Sequence, residues 1–338
     1  MRARTSLLVL SVFLGLAVVT LPAADTLPAR LTDAEFWKIV SDYSEPAGYF
    51  QYTVTTSNET SYQEVLPELT RAIAPGGTYL GVGPEQNFTY IAALRPKIVF
   101  IIDIRREMML EHLLYKSIFE MSDNRVDFVA TLFSRKRPAT LTADSRVGEI
   151  FRAFAAASSD NELAEANFKT ILSRLKMTHG FTFSKEDENA MRSIYWTFLR
   201  EGVVTFSSSI RSPGYTALMT ATDGAGHNWS YLASNENYAR VREMQLKNLI
   251  IPLVGDFGGP KAVRMAGQYI RDHGAVVNVF YLSNVEDYIQ PVMQGYLRNV
   301  RSLPITDSSL FIHVSLGSNS FRPWLDRIRD FASPSSVR

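Results

Sequence analysis

No cysteine occurs in the 338 residues, so disulfides, thiolate nucleophiles and cysteine-ligated metals are excluded from the outset. Histidine is scarce: five are scattered along the chain and form no metal constellation. Neither sign of charge is in excess, since 35 Lys and Arg against 34 Asp and Glu leave a formal charge of +1. That balance creates no field to gather nucleic acid, and small-molecule chemistry is the class that survives. The chain also lacks a Gly-x-Ser-x-Gly elbow, a phosphate loop ending in Gly-Lys-Ser/Thr and a His-Glu-x-x-His pair. A serine hydrolase, a P-loop enzyme and a zinc protease are therefore unsupported. One long uncharged run exists, residues 6–19, preceded by Arg2 and Arg4 and followed by Leu21, Pro22, Ala23 and Ala24. It falls short of the ~20 residues of a membrane span and predicts a secretory leader over 1–24, with an uncleaved anchor as the alternative. The mature protein is then expected to be exported, periplasmic or extracellular, with no membrane span.

What the chain does have is apolar mass, 46% of its residues, enough for one large core. Its centre is the stretch 76–103, GGTYLGVGPEQNFTYIAALRPKIVFIID. Residues 78–82 are a short apolar run broken by Gly81 and Gly83, where a chain leaving a buried strand needs backbone freedom. Residues 85–94 can form a helix, and 97–102 is a β-branched and aromatic run ended by Asp103, the pattern of a strand buried on both faces. An acid in that place accepts hydrogen bonds from ribose hydroxyls in dinucleotide and nucleoside folds.

Helices are expected at 33–43 and 63–74 before this unit and at 105–121 after it, with 44–62 an irregular segment able to close over a ligand. Residues 127–132 fit a short strand or a helical turn. From 145 to 201 only helical periodicity is found, at 148–157, 162–175 and 185–199, which reads as an inserted helical unit. Alternation then returns, with helices at 237–246, 261–273 and 285–300 and strands at 249–254, 275–282 and 309–314. The expected division is a leader 1–24, an N-terminal segment 25–75, a first half-core 76–144, a helical insertion 145–210, a second half-core 211–332 and a tail 333–338. The fold class is α/β, a doubly wound, mostly parallel sheet.

Four strand ends carry glycine or polar residues: Gly81 and Gly83, Asp103, Gly255 and Asp256, and Ser283 and Asn284. Such ends meet at one sheet edge, where α/β ligands bind. Over 77–104 and 249–288 the chain resembles the class I S-adenosylmethionine-dependent methyltransferases, a Rossmann-like fold. The resemblance implies S-adenosylmethionine or a related nucleoside as ligand, with Gly81, Gly83 and Glu85 around its methionine end, Asp103 on the ribose and Asp256 on the adenine amine. Ser283, Asn284 and Glu286 would stand beside the sulfonium or a small acceptor. A base, where the acceptor must lose a proton, would come from His227, Glu286 or Tyr288. The glycine turn departs from a dinucleotide fingerprint, because Gln86 takes the third glycine's place. The alternative is an exported, non-catalytic Rossmann-like binding protein that has lost cofactor use.

Overall fold

The computed structural model describes residues 24–51, 55–202, 214–316 and 321–332. Apart from Ala24, the expected leader lies outside the described residues, as do 203–210 of the expected insertion and the tail 333–338. Helix α1 is Asp33–Tyr43, with the bounds its pattern predicts. Thr32 and Glu35 close a capping box at its start, each side chain accepting the other's backbone N–H, at 3.2 and 2.8 Å. Helix α2 (Leu66–Ala72) is shorter than expected, its start set by Pro67, which has no N–H to leave unsatisfied in a first turn.

The central stretch folds as strand β1 (Thr78–Gly81), helix α3 (Gln86–Leu94) and strand β2 (Ile98–Asp103). The two strands pair in parallel, and every residue of both is buried, as runs without polar alternation demand. Helix α4 (Arg106–Met121) is buried without a break from Met108 to Glu120. An all-round buried helix must be covered on every side. The remaining helices are α5 (Arg125–Leu132), α6 (Val147–Ala156), α7 (Asn161–Ser173), α8 (Lys185–Glu201), α9 (Gly214–Thr220), α10 (Asn235–Leu246), α11 (Ala262–Asp272), α12 (Met293–Arg301) and α13 (Ile328–Ala332). The strands that complete the sheet are β3 (Ile250–Val254), β4 (Val277–Ser283), β5 (Leu310–Leu316) and β6 (Phe321–Arg327). Helix α4 lies against β2 and β3 and is covered by α5, α8 and α10.

The fold is α/β with a mixed six-stranded sheet in the order β3-β2-β1-β4-β5-β6. Strands β1 to β5 are parallel to their neighbours, and β6 runs antiparallel to β5. From β1 the chain first builds outward through β2 and β3, then crosses to the other side of β1 for β4 and β5. The order reverses between β1 and β4, which opens a crevice at their C-terminal ends.

The structure decides three local points. Residues 127–132 belong to a helix, α5, because Asn124 caps it by accepting the N–H groups of Val126 and Asp127 at 3.0 and 3.1 Å. The helix expected over 285–300 begins only at Met293. Two single 3-10 turns precede it, the second containing Pro291, which cannot donate to a helical ladder. Strand β6 forms where no strand is expected, and Pro323 within it is tolerated because β6 is an edge strand.

Helices α6 to α8 have no core of their own. Phe151, Phe168, Tyr195 and Phe198 belong to the same apolar cluster as the sheet. At its centre Phe88 is met edge-on by His112, Tyr115, Phe119 and Tyr231, with centroids 5.2 to 5.6 Å away.

Electrostatics also fasten this layer. A π-helical turn, Arg174–Thr178, ends at His179, whose Nε2 lies 2.8 Å from Glu120 of α4 and whose Nδ1 lies 2.9 Å from Asp33 of α1. Burial disfavours the imidazolium, but the hydrogen bonds to Glu120 and Asp33 outweigh it and raise the pKa of His179 above 6.5. A group raised on folding stabilises fully below its unfolded pKa, and that contribution disappears as pH rises through the folded value. Thermal unfolding should therefore show wild type losing stability from about pH 6 to about pH 9, by more than His179→Gln loses over the same interval. Equal losses in the two proteins would refute the assignment.

Candidate functional site

At the reversal of strand order lies a cavity of about 470 Å³. Its wall is built from the ends of four strands: Val82 and Gly83 after β1, Asp103 at the end of β2, Gly255 and Asp256 after β3, and Ser283 and Asn284 at the end of β4. All four expected strand ends thus meet in one space. The segment before β1 completes the lining through Phe50, Ser57 and Glu59.

Gly83 needs to be glycine because its φ is +76°, in the left-handed region, while the space beside it is open: a Cβ there would meet only Gln86 Nε2, at 3.7 Å. Gly81 is small for another reason and does not face the cavity. A Cβ on it would lie 2.2 Å from Asn87 Oδ1, and Asn87 is the residue that holds the turn, donating from Nδ2 to the carbonyls of Val82, Gly83 and Pro84. Glu85 is also turned away from the cavity. It is fully buried, accepts from Thr56 Oγ1 and from the Ser57 N–H, and so anchors the segment that carries Glu59. Burial pushes its carboxyl up to about 7, against the pull of those hydrogen bonds. Beneath the turn, His112 Nε2 lies 2.9 Å from the Gly83 carbonyl, and burial lowers its pKa to about 4. The imidazole is thus neutral, with its proton on Nε2 and donated to that carbonyl.

Asp103 is buried, and Arg105 grips it. Oδ1 accepts from the Arg105 backbone N–H at 2.9 Å and from Nε at 3.0 Å, and Oδ2 accepts from a terminal guanidinium nitrogen at 3.1 Å. The guanidinium also lies over the Phe50 ring, 5.7 Å from its centroid. A carboxylate offers about four acceptor positions, so Oδ2 retains one for a ligand hydroxyl. Asp256 binds its own loop, Oδ1 accepting the Gly258 N–H at 2.8 Å, and its Oδ2 accepts from none of the described residues. Nearby Glu45 caps α11 by accepting the Lys261 and Ala262 N–H groups, both at 2.7 Å.

The proposed acceptor side divides. Ser283 and Asn284 face the cavity, and so does Tyr288, half-exposed and packed edge-on against Phe50 at 5.1 Å. Glu286 lies outside the lining, because it is held elsewhere: Tyr296 of α12 donates to it at 2.9 Å and His313 Nδ1 of β5 lies at 3.1 Å. His227 is exposed in a separate loop and stacks edge-on against Trp229. That loop is shaped by Asp223, which accepts from the Ala225 and His227 N–H groups and from Trp229 Nε1. None of its residues lines the cavity.

Three lining residues carry no motif in the sequence. Arg105 is one, two places after Asp103. Gln86 is another, standing where the third glycine of a dinucleotide turn would be. Glu59, in the irregular segment 44–62, is the third. It is 3% exposed, Tyr281 donates to its Oε2 at 2.6 Å, and Ser283 Oγ donates to Oε1. Ser283 reaches it from a left-handed backbone, φ +53°, which a non-glycine residue adopts only where its surroundings hold it there. Burial raises the Glu59 pKa above that of a free glutamate, although both hydroxyl donors pull the other way.

Among the described residues no helix is long and apolar enough to cross a membrane, and no group of three or more His, Asp or Glu is placed to hold a metal ion. Comparison with curated proteins finds no match. A protein-family model, Domain of unknown function (DUF7790), matches residues 54–323, which include every cavity-lining residue but Tyr49 and Phe50. With most of its length inside that match, the chain belongs to the DUF7790 family.

Proposed function

We propose that this is a methyltransferase-like Rossmann protein whose cavity binds S-adenosylmethionine or a related nucleoside and serves group transfer to a small acceptor. The observation that carries the reading is the meeting of Gly83, Asp103 and Asp256, from the ends of three successive strands, in one cavity at the reversal of strand order. The residues fit such a ligand. The open space at Gly83 lets a ligand approach the backbone, Asp103 Oδ2 has an acceptor position for a ribose hydroxyl, and Asp256 Oδ2 has one for an exocyclic amine. When bound, S-adenosylmethionine supplies an electrophilic methyl carbon. The protein's part is to orient the acceptor and exclude water, which the apolar side chains of Phe50, Tyr288, Ile289 and Val292 suit. Tyr288 is the one expected base that stands in this space.

Calorimetry on the leader-free protein tests the proposal. S-adenosylmethionine and S-adenosylhomocysteine should bind with dissociation constants of about 100 μM or tighter, and absence of heat from both would overturn it. One observation favours the alternative of a binding protein without cofactor use: Arg105 already occupies both oxygens of Asp103. That reading expects a folded, exported protein with no nucleoside binding, and fractionation of cells would separate the two.

A further inference from the structure

The β4 side of the cavity differs chemically from the β2 and β3 side. Glu59 is fixed there by Tyr281 and Ser283, both on β4, whereas Asp103 and Asp256 stand across β1. No Lys, Arg or His pairs with Glu59 among the described residues. Among the described residues the partners of its carboxylate are neutral hydroxyl donors. Tyr281 has a single phenolic proton, and it goes to Glu59, so the Tyr281 oxygen must accept from Gln86 Nε2, at 2.7 Å. That fixes the Gln86 amide and leaves its Oε1 buried with no partner, on a side chain 2% exposed that itself lines the cavity. The corner therefore offers acceptor oxygens and no cation. Over the whole described lining, Glu59, Asp103 and Asp256 face one base, Arg105, already committed to Asp103. A buried carboxylate lacking a positive partner is costly, and a ligand cation is the partner it lacks. The same cavity also has an apolar wall, with Phe50, Tyr288, Ile289 and Val292.

We propose that this corner seats a small amine with an apolar or aromatic body, its ammonium held by Glu59 beside Gln86 and its body against Phe50 and Tyr288. The amine is the acceptor-side substrate of the site, an assignment that rests on the cavity reading given above. Glu59 then acts as the specificity-determining residue, because a neutral isostere of the amine leaves the carboxylate unpaired.

The test is calorimetric, with tyramine and hexylamine compared with 4-ethylphenol and hexanol, and S-adenosylhomocysteine titrated separately. Wild type should bind at least one amine about tenfold or more tightly than its neutral counterpart, Glu59→Gln should erase that gap, and S-adenosylhomocysteine affinity should be unchanged by the substitution. Tyr281→Phe keeps the ring and removes one donor to the carboxylate; it should narrow the gap and serves if Glu59→Gln does not fold. Absence of a gap in wild type, or a gap that survives in the variants, overturns the amine assignment while leaving nucleoside binding intact. A Glu59-dependent gap without S-adenosylhomocysteine binding overturns the nucleoside reading and upholds the amine corner.

Discussion

Asp103→Asn is expected to weaken S-adenosylhomocysteine binding by about a hundredfold, the scale of a buried hydrogen bond to a charged group. In the proposed site the carboxylate has two duties that an amide cannot both perform. Toward the ligand it keeps one acceptor position on Oδ2; toward the protein it accepts three hydrogen bonds from Arg105. Asparagine has one acceptor oxygen, and its NH2 would face another donor, either the guanidinium or the ribose hydroxyl. The Arg105 side chain is 12% exposed and would lose its counterion, which also frees it from its place over Phe50. Breaking one partner of a buried pair costs about 3–5 kcal/mol, so a drop in thermal midpoint should accompany the loss of affinity. Binding within about twofold of wild type would remove Asp103 from the site.

The second large effect concerns stability. Glu120→Ala is expected to lower the unfolding free energy by about 3–5 kcal/mol, a large share of the ~5–15 kcal/mol typical of folded proteins. Glu120 and Lys116, one turn apart on α4, pair at 2.8 Å with both side chains 2% exposed. Glu120 also holds His179 at 2.8 Å and Arg174 at 3.3 Å, so three cationic groups converge on one carboxylate. Burial alone would raise its pKa, but the hydrogen bond from His179 and the pull of Lys116 hold it at about 2. Lys116 donates to the Gln245 carbonyl at 2.6 Å and lies over Phe36, and neither contact neutralises it once Glu120 is gone. Urea unfolding should move to a lower midpoint without a change in slope. Adding Lys116→Met should recover part of the loss, since it removes the stranded charge. A loss under about 1 kcal/mol would mean that water already screens this pair.

Much of the scaffold was legible because burial leaves a local trace. The run ending at Asp103 is apolar without alternation since both its faces are covered, and β2 forms where that run stands. Helix α1 matches its pattern at both ends because Thr32 and Glu35 cap one another across three residues. Where long-range packing decided the outcome, the local reading fell short. The edge position of β6 excuses Pro323, and an edge cannot be seen from within a segment. Glu286 sits in the motif after β4 as expected, yet Tyr296 and His313 draw it out of the cavity.

By itself, then, the sequence determined an α/β core and the four strand ends of the site, because hydrophobic period and turn residues act over a few positions. The tertiary structure alone decided that Glu59 is a buried acid of the cavity with no cationic partner among the described residues. Its carboxylate meets the Tyr281 hydroxyl across 222 positions of chain. No local period encodes such a meeting; it arises when the segment before β1 folds over the sheet edge and places an acid against β4 and away from water.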